Sequence, residues 1–163
     1  MSSQRKTSWC HPRRGSRACI ARRDSLPAHV EYGKRVSVPA SYNIDKERRL
    51  VISTVSGVVT LADGLAHQRN LRNDPDFDPS FSQLMDFRQV IRVDLSGEDV
   101  RKLAQTTIFS PNSRRAMLVS SDLEYGLARM FEILRETMGE RGIRVFRDLN
   151  EALDWVLAKS AST

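Results

Sequence analysis

Three side chains in one short stretch of this 163-residue chain are of a type and spacing that could do chemistry: Asp86, Asp94 and Ser96, within LMDFRQVIRVDLSG (residues 84–97). The stretch opens like an apolar strand and ends on a Ser-Gly pair that starts a helix. Asp86 therefore falls toward the carboxyl end of a strand, where open α/β sheets build their sites. A carboxylate there could accept a phosphoryl group or move a proton. A serine at a helix start could carry a phosphate held by free N–H groups and the helix dipole. Each residue also has a simpler structural reading. Asp86 can pair with Arg88 or accept backbone N–H groups from the segment after it. Ser96, three residues before Asp99, makes a capping box without a phosphate. Glu98 and Asp99 would also repel an added charge of about −2.

Other chemistries find few residues to work with. The histidines are His11, His29 and His67. His67 alone follows residue 41 and, among polar neighbours in a helix, is expected to be exposed. The two cysteines, Cys10 and Cys19, precede residue 41 and make with His11 a C-H-x7-C pattern that lacks the paired spacing of a zinc site. Asp74, Asp76 and Asp78 alternate as in a calcium loop. They lack that loop's glycine and closing glutamate, so they are read as a solvated turn. Neither a Gly-rich phosphate loop nor a Ser–His pair is present. No cofactor or metal is expected, and the chain is read as a non-enzyme.

The elements that must position these residues follow from the pattern of the chain. Residues 1–40 hold nine of the 26 Lys/Arg but only two of the 20 Asp/Glu, leaving 17 basic against 18 acidic residues in the remainder. The net charge of +6 thus belongs to a basic extension, expected to be disordered. It does not belong to the folded part, for which no specific nucleic-acid partner is expected. No run is long and apolar enough for a membrane span. From residue 41 two strands flank a polar turn at 45–48, and a helix with a Thr60–Asp63 capping box follows. Strand FSQLMDF, a short irregular link through Val90 and Val93, and helix SGEDVRKLAQTTIF come next. RRAMLVSS is a strand, and a long helix over 122–141 is capped by Asp122 and ended by Gly139 and Gly142. Its apolar stripe is Leu123, Leu127, Met130, Leu134 and Met138, widened by Tyr125 and Phe131. IRVF and a final helix from Asp148 complete an α/β layer fold with a mixed, largely parallel sheet and flanking helices.

The segment Asp86–Gly97 resembles the central signature of STAS domains, D-L-S-x-V-x-x-I-D-S-S-G, with Asp86, Val90, Asp94, Ser96 and Gly97 in register. More broadly, the chain from about Tyr42 to Ala158 resembles STAS-like (SpoIIAA-like) bacterial proteins of largely unknown function. The shared segments are V-S-G-x-x-T at 55–60, D-P-x-F at 74–77, L-M-D-F-R at 84–88, Y-G-L-A-R-M-F at 125–131 and F-R-D-x-N-E-A-L-x-W at 146–155. The resemblance implies one domain over 41–163, no known catalysis and a structural relation to CRAL-TRIO lipid-transfer domains. In regulatory relatives the serine at the place of Ser96 is phosphorylated by a partner kinase. The expected function is a cytoplasmic regulatory or protein-interaction module that engages a partner through Asp94–Asp99 or the 122–141 helix. The alternative is a carrier or sensor of a small apolar ligand such as a lipid, with Tyr125, Met130, Phe131 and Leu134 as pocket wall or homodimer surface.

Overall fold

The computed structural model describes residues 40–158. The expectations placed on the basic extension, with Cys10, Cys19, His11 and His29, lie outside the described residues. Strands β1 (Ala40–Asp45) and β2 (Leu50–Thr60) form an antiparallel hairpin. Its turn is tightened by Asp45, which accepts the Arg48 N–H at 2.9 Å, and closes through Arg49 at φ 54°. Then α1 (Leu61–Arg72), β3 (Ser82–Asp94), α2 (Gly97–Gln105), β4 (Arg115–Leu118), α3 (Asp122–Thr137), β5 (Ile143–Phe146) and α4 (Leu149–Leu157) alternate along the chain. The sheet order is β1-β2-β3-β4-β5, parallel from β2 onward, which is the mixed, largely parallel sheet expected.

Period-two alternation divides the core into two layers. Leu50, Leu84, Ala116 and Leu118 point to one face, where Ala152 and Val156 of α4 cover them. Val51, Met117 and Val119 point to the other, beneath α1, α2 and α3. Every residue of β4 is buried, as befits a strand covered on both sides. Local chemistry starts each helix. Thr60–Asp63, Ser96–Asp99 and Ser121–Glu124 are reciprocal capping boxes, and Asp148 caps α4. The cap of α3 is therefore Ser121 rather than Asp122, because Glu124 sits three residues after Ser121 and returns its carboxylate to the Ser121 N–H at 3.1 Å.

Three further expectations are corrected. β3 does not stop at Phe87 but runs on to Asp94, pairing with the end of β2 from Ser56↔Gln89 to Thr60↔Asp94. Gly57, at φ +73°, takes up the irregularity in the ladder. This outer arm lies beyond β4, which pairs only with Gln83–Asp86, and the solvated Arg88, Gln89 and Arg92 break its apolar run, so it reads as a link. Helix α2 ends at Gln105, and Phe109 instead packs with Val51, Leu71 and Phe81. On α3 the buried residues are Glu124, Ala128 and Arg135, whereas Leu123 and Met138 are exposed. Two polar residues occupy the inward face, which displaced the apparent apolar stripe. Gly139, at φ +93°, sits just past the end of α3, where a left-handed residue is favoured.

Candidate functional site

Between the sheet and the α1–α3 layer lies a partly open cavity of about 130 Å³. Its sheet wall comes from alternate residues on one face: Val55 and Val59 of β2, Met85 and Phe87 of β3, and Met117 and Val119 in and after β4. Its helical wall comes from Val100 and Leu103 of α2 and from Leu127, Ala128 and Phe131 of α3. Gly64 of α1 lets that wall close. A Cβ there would come within 2.8 Å of the Leu103 Cδ2 atom, so the two helices approach through the missing side chain.

Four buried polar side chains line this apolar space: His67, Gln83, Arg115 and Glu124. His67 is 6% exposed, and neither ring nitrogen has a hydrogen-bond partner among the described residues. The Tyr42 ring lies edge-on to it, centroids 5.7 Å apart. Burial holds the imidazole below its ordinary pKa of 6.5, so at neutral pH the ring is uncharged and carries one N–H donor and one bare nitrogen. Gln83 donates to the Ser53 hydroxyl at 3.0 Å, both residues being buried. Arg115 shares the Glu140 carboxylate with Arg135, whose Nε donates to it at 3.0 Å and whose Nη1 donates to the Ala104 carbonyl at 2.5 Å. Thr107 adds a hydroxyl donor to Glu140 at 2.7 Å. The Arg115 guanidinium also lies over the Phe109 ring, 5.2 Å from its centroid. Burial lowers its pKa to about 10, and Glu140 only partly offsets this. The acids on the cavity wall, Asp63 and Glu124, are held in the capping boxes of α1 and α3.

The expected site residues fall in and around this cavity unevenly. Asp86 points away from it, between cavity-lining Met85 and Phe87. Its carboxylate takes the Arg88 guanidinium at 2.7 Å and the Arg88 backbone N–H at 3.0 Å. The hydrogen bond from that guanidinium holds the Asp86 carboxyl below the ordinary carboxylate range, the opposite of an acid poised to exchange a proton at neutral pH. Asp94 is exposed and lies 3.6 Å from Arg92. Ser96 caps α2, accepting the Asp99 N–H at 3.2 Å. Val93 and Leu95, on either side of Asp94, turn inward and line the cavity. Gly97 packs against Met130, where a Cβ would meet the Met130 Cε at 3.5 Å. Of the four expected pocket residues, Phe131 lines the cavity, whereas Tyr125, Met130 and Leu134 do not. Tyr125 instead lies under Arg147, which pairs with Asp122.

No protein-family model matches the chain, and no curated protein matches it. It is similar to the solved structure of an uncharacterised protein of the DUF3478 family, with a SpoIIAA-like fold, from Shewanella loihica PV-4. The identity is 18% and the TM-score 0.48, covering 72% of this chain and 93% of that one.

His67 corrects the expectation of an exposed helix residue. It precedes the fully buried Leu71 by one helical turn and follows Gly64, so it stands on the inward face although Gln68, Arg69 and Asn70 follow it. Reading the stripe backward from Leu71 would have found it. The ion cluster has no local signal, because Arg115 and Glu140 are 25 residues apart.

The Ser96 cap yields a test of its own. Ser96→Ala removes the acceptor for the Asp99 N–H and is expected to cost about 1 kcal/mol, read from chemical denaturation. A loss near zero would show that the capping box contributes nothing to stability.

Proposed function

We propose that residues 40–158 form a non-enzymatic binding module that takes up a small apolar ligand beneath α1–α3. One observation carries this reading: a mostly apolar, partly open cavity of about 130 Å³ between the sheet and the α1–α3 layer. Protein interiors are close-packed and hold few voids larger than a water molecule. An apolar cavity of roughly 150 Å³ stays dry and binds benzene. The volume suits one ring-sized body and is small for a lipid chain, which narrows the ligand from lipid to small apolar molecule. Met85, Met117 and Phe131 supply adaptable and flat surfaces for such a body. The paired, ionised Asp86 supports binding over proton chemistry.

Toluene is the simplest probe of this reading. Added to the full chain labelled with nitrogen-15, it is expected to shift the amide resonances of cavity residues such as Val55, Met85 and Phe131 saturably. Leu127→Trp, which fills the space, is expected to abolish those shifts. Shifts scattered over the surface, or unchanged by the filled variant, would overturn it.

A protein-interaction module is the second reading, and the outer arm of β2 and β3 favours it. Ile91 is 86% exposed there, Val58 is also exposed, and among the described residues β3 has no neighbour in the sheet beyond Asp86 on the β4 side. The arm adjoins Asp94 and Ser96, so a partner seated on it would meet both.

A further inference from the structure

We propose that His67 is the polar anchor of the cavity and that the ligand it selects is a small uncharged ring bearing a hydroxyl group, a phenol by chemical class. The proposal rests on the binding reading above and adds to it the chemistry that the site recognises. Burying a polar group without a partner is costly, and native proteins leave few such groups. His67 is 94% buried by its 6% exposure, has two unpartnered ring nitrogens and stands on the wall of an apolar space. The ring needs a partner that the described residues do not supply.

The neutral imidazole presents an N–H on one nitrogen and a lone pair on the other. A hydroxyl is the small group that meets either one, accepting from the N–H or donating to the bare nitrogen. Charge narrows the choice further. The charged groups on the wall are already engaged, Arg115 by Glu140 and Asp63 and Glu124 by the capping boxes of α1 and α3, so an uncharged group fits the wall best. A ring fits the volume and can lie against Phe87 and Phe131. Water is the poorer occupant, since a buried water wants two to four polar partners and most of this wall is apolar.

The experiment compares phenol with toluene, two probes of similar shape that differ in the hydroxyl, on the full chain labelled with nitrogen-15. Phenol is expected to move the His67 ring-nitrogen resonances, and toluene to leave them in place while still shifting cavity amides. His67→Leu is expected to lower the phenol-to-toluene affinity ratio about tenfold, with toluene binding kept. If both probes bind, the ratio is unchanged by His67→Leu and phenol leaves the ring nitrogens unmoved, the anchor is overturned and the cavity reading stands. If neither probe shifts the cavity amides, both readings fall. Should His67→Leu not fold, the ring-nitrogen resonances of the unaltered protein decide: movement with phenol alone supports the anchor, and movement with neither or both overturns it.

Discussion

Glu140→Ala is expected to lose about 3–5 kcal/mol of folding stability, measured as a lower midpoint in chemical denaturation with an unchanged slope. The size follows from what is left behind. Among the described residues Glu140 is the one carboxylate paired with the buried guanidiniums of Arg115 and Arg135, and it also accepts the Thr107 hydroxyl. Without it, two positive charges remain in the interior with no counter-charge among the described residues. Arg115 already shows the strain, its pKa lowered by burial even with Glu140 present. Glu140→Gln keeps the shape and removes the charge, so it should fall nearly as far. Acid should act in the same direction. Burial pushes the Glu140 carboxyl up, but the hydrogen bond from Arg135, the Arg115 charge and the Thr107 hydroxyl outweigh it and leave the pKa below the ordinary 4.5. The stability it contributes is therefore complete above about pH 4.5 and is lost as pH falls toward the lower native value. A loss under about 1 kcal/mol in Glu140→Ala would mean that water or rearrangement compensates the arginines, and the cluster would not be an interior support.

Gly142→Ala is the second large effect. A Cβ at this position would fall inside the contact radius of the Ser113 carbonyl oxygen, a backbone atom that cannot swing aside. The same residue fixes the entry to β4 and β5, its carbonyl accepting the Arg115 N–H at 2.7 Å and the Trp155 indole N–H at 3.4 Å. Relieving the overlap moves one strand entry against the other. The expected cost is about 3 kcal/mol, the upper end of the range for forcing atoms into a packed interior. Gly126→Ala is the matched control. A Cβ there meets nothing within 4 Å, on an exposed turn of α3, and the change should stabilise by roughly 0.5–1 kcal/mol. If both variants melt together, the Ser113 contact is not the cause.

How much of this was legible depended on whether the signal was local. The Thr60–Asp63 and Ser96–Asp99 boxes need only three residues of spacing, and both could be read directly. The alternation of strands and helices likewise gave the layer fold, because each crossover is short and each strand apolar where it is covered. The outer half of β3 was not legible. Arg88, Gln89, Ile91 and Arg92 are solvated there, so the strand lacks the apolar run that marks one. The inward face of α3 was misplaced for the reverse reason. Glu124 and Arg135 are polar residues buried by their partners, and a hydrophobic stripe cannot see partners. At the candidate site Phe131 could be picked from its helix, but His67 stands on the wall for a reason that only the packing of α1 against α2 reveals.

The lopsided arrangement of helices has a consequence for how the chain is made. Three helices shelter one face of the sheet and are laid down as soon as their strands appear. Leu50, Leu84 and Leu118 on the other face wait for α4, the last described element. During synthesis each of these side chains leaves the ribosome well before its cover does, and an apolar sheet face left open is a surface on which nascent chains aggregate. Premature termination between β4 and α4, after residue 118 and before residue 149, would therefore produce a polypeptide able to pair its strands and unable to stay dispersed, one whose fate depends on chaperones rather than on its own sheet.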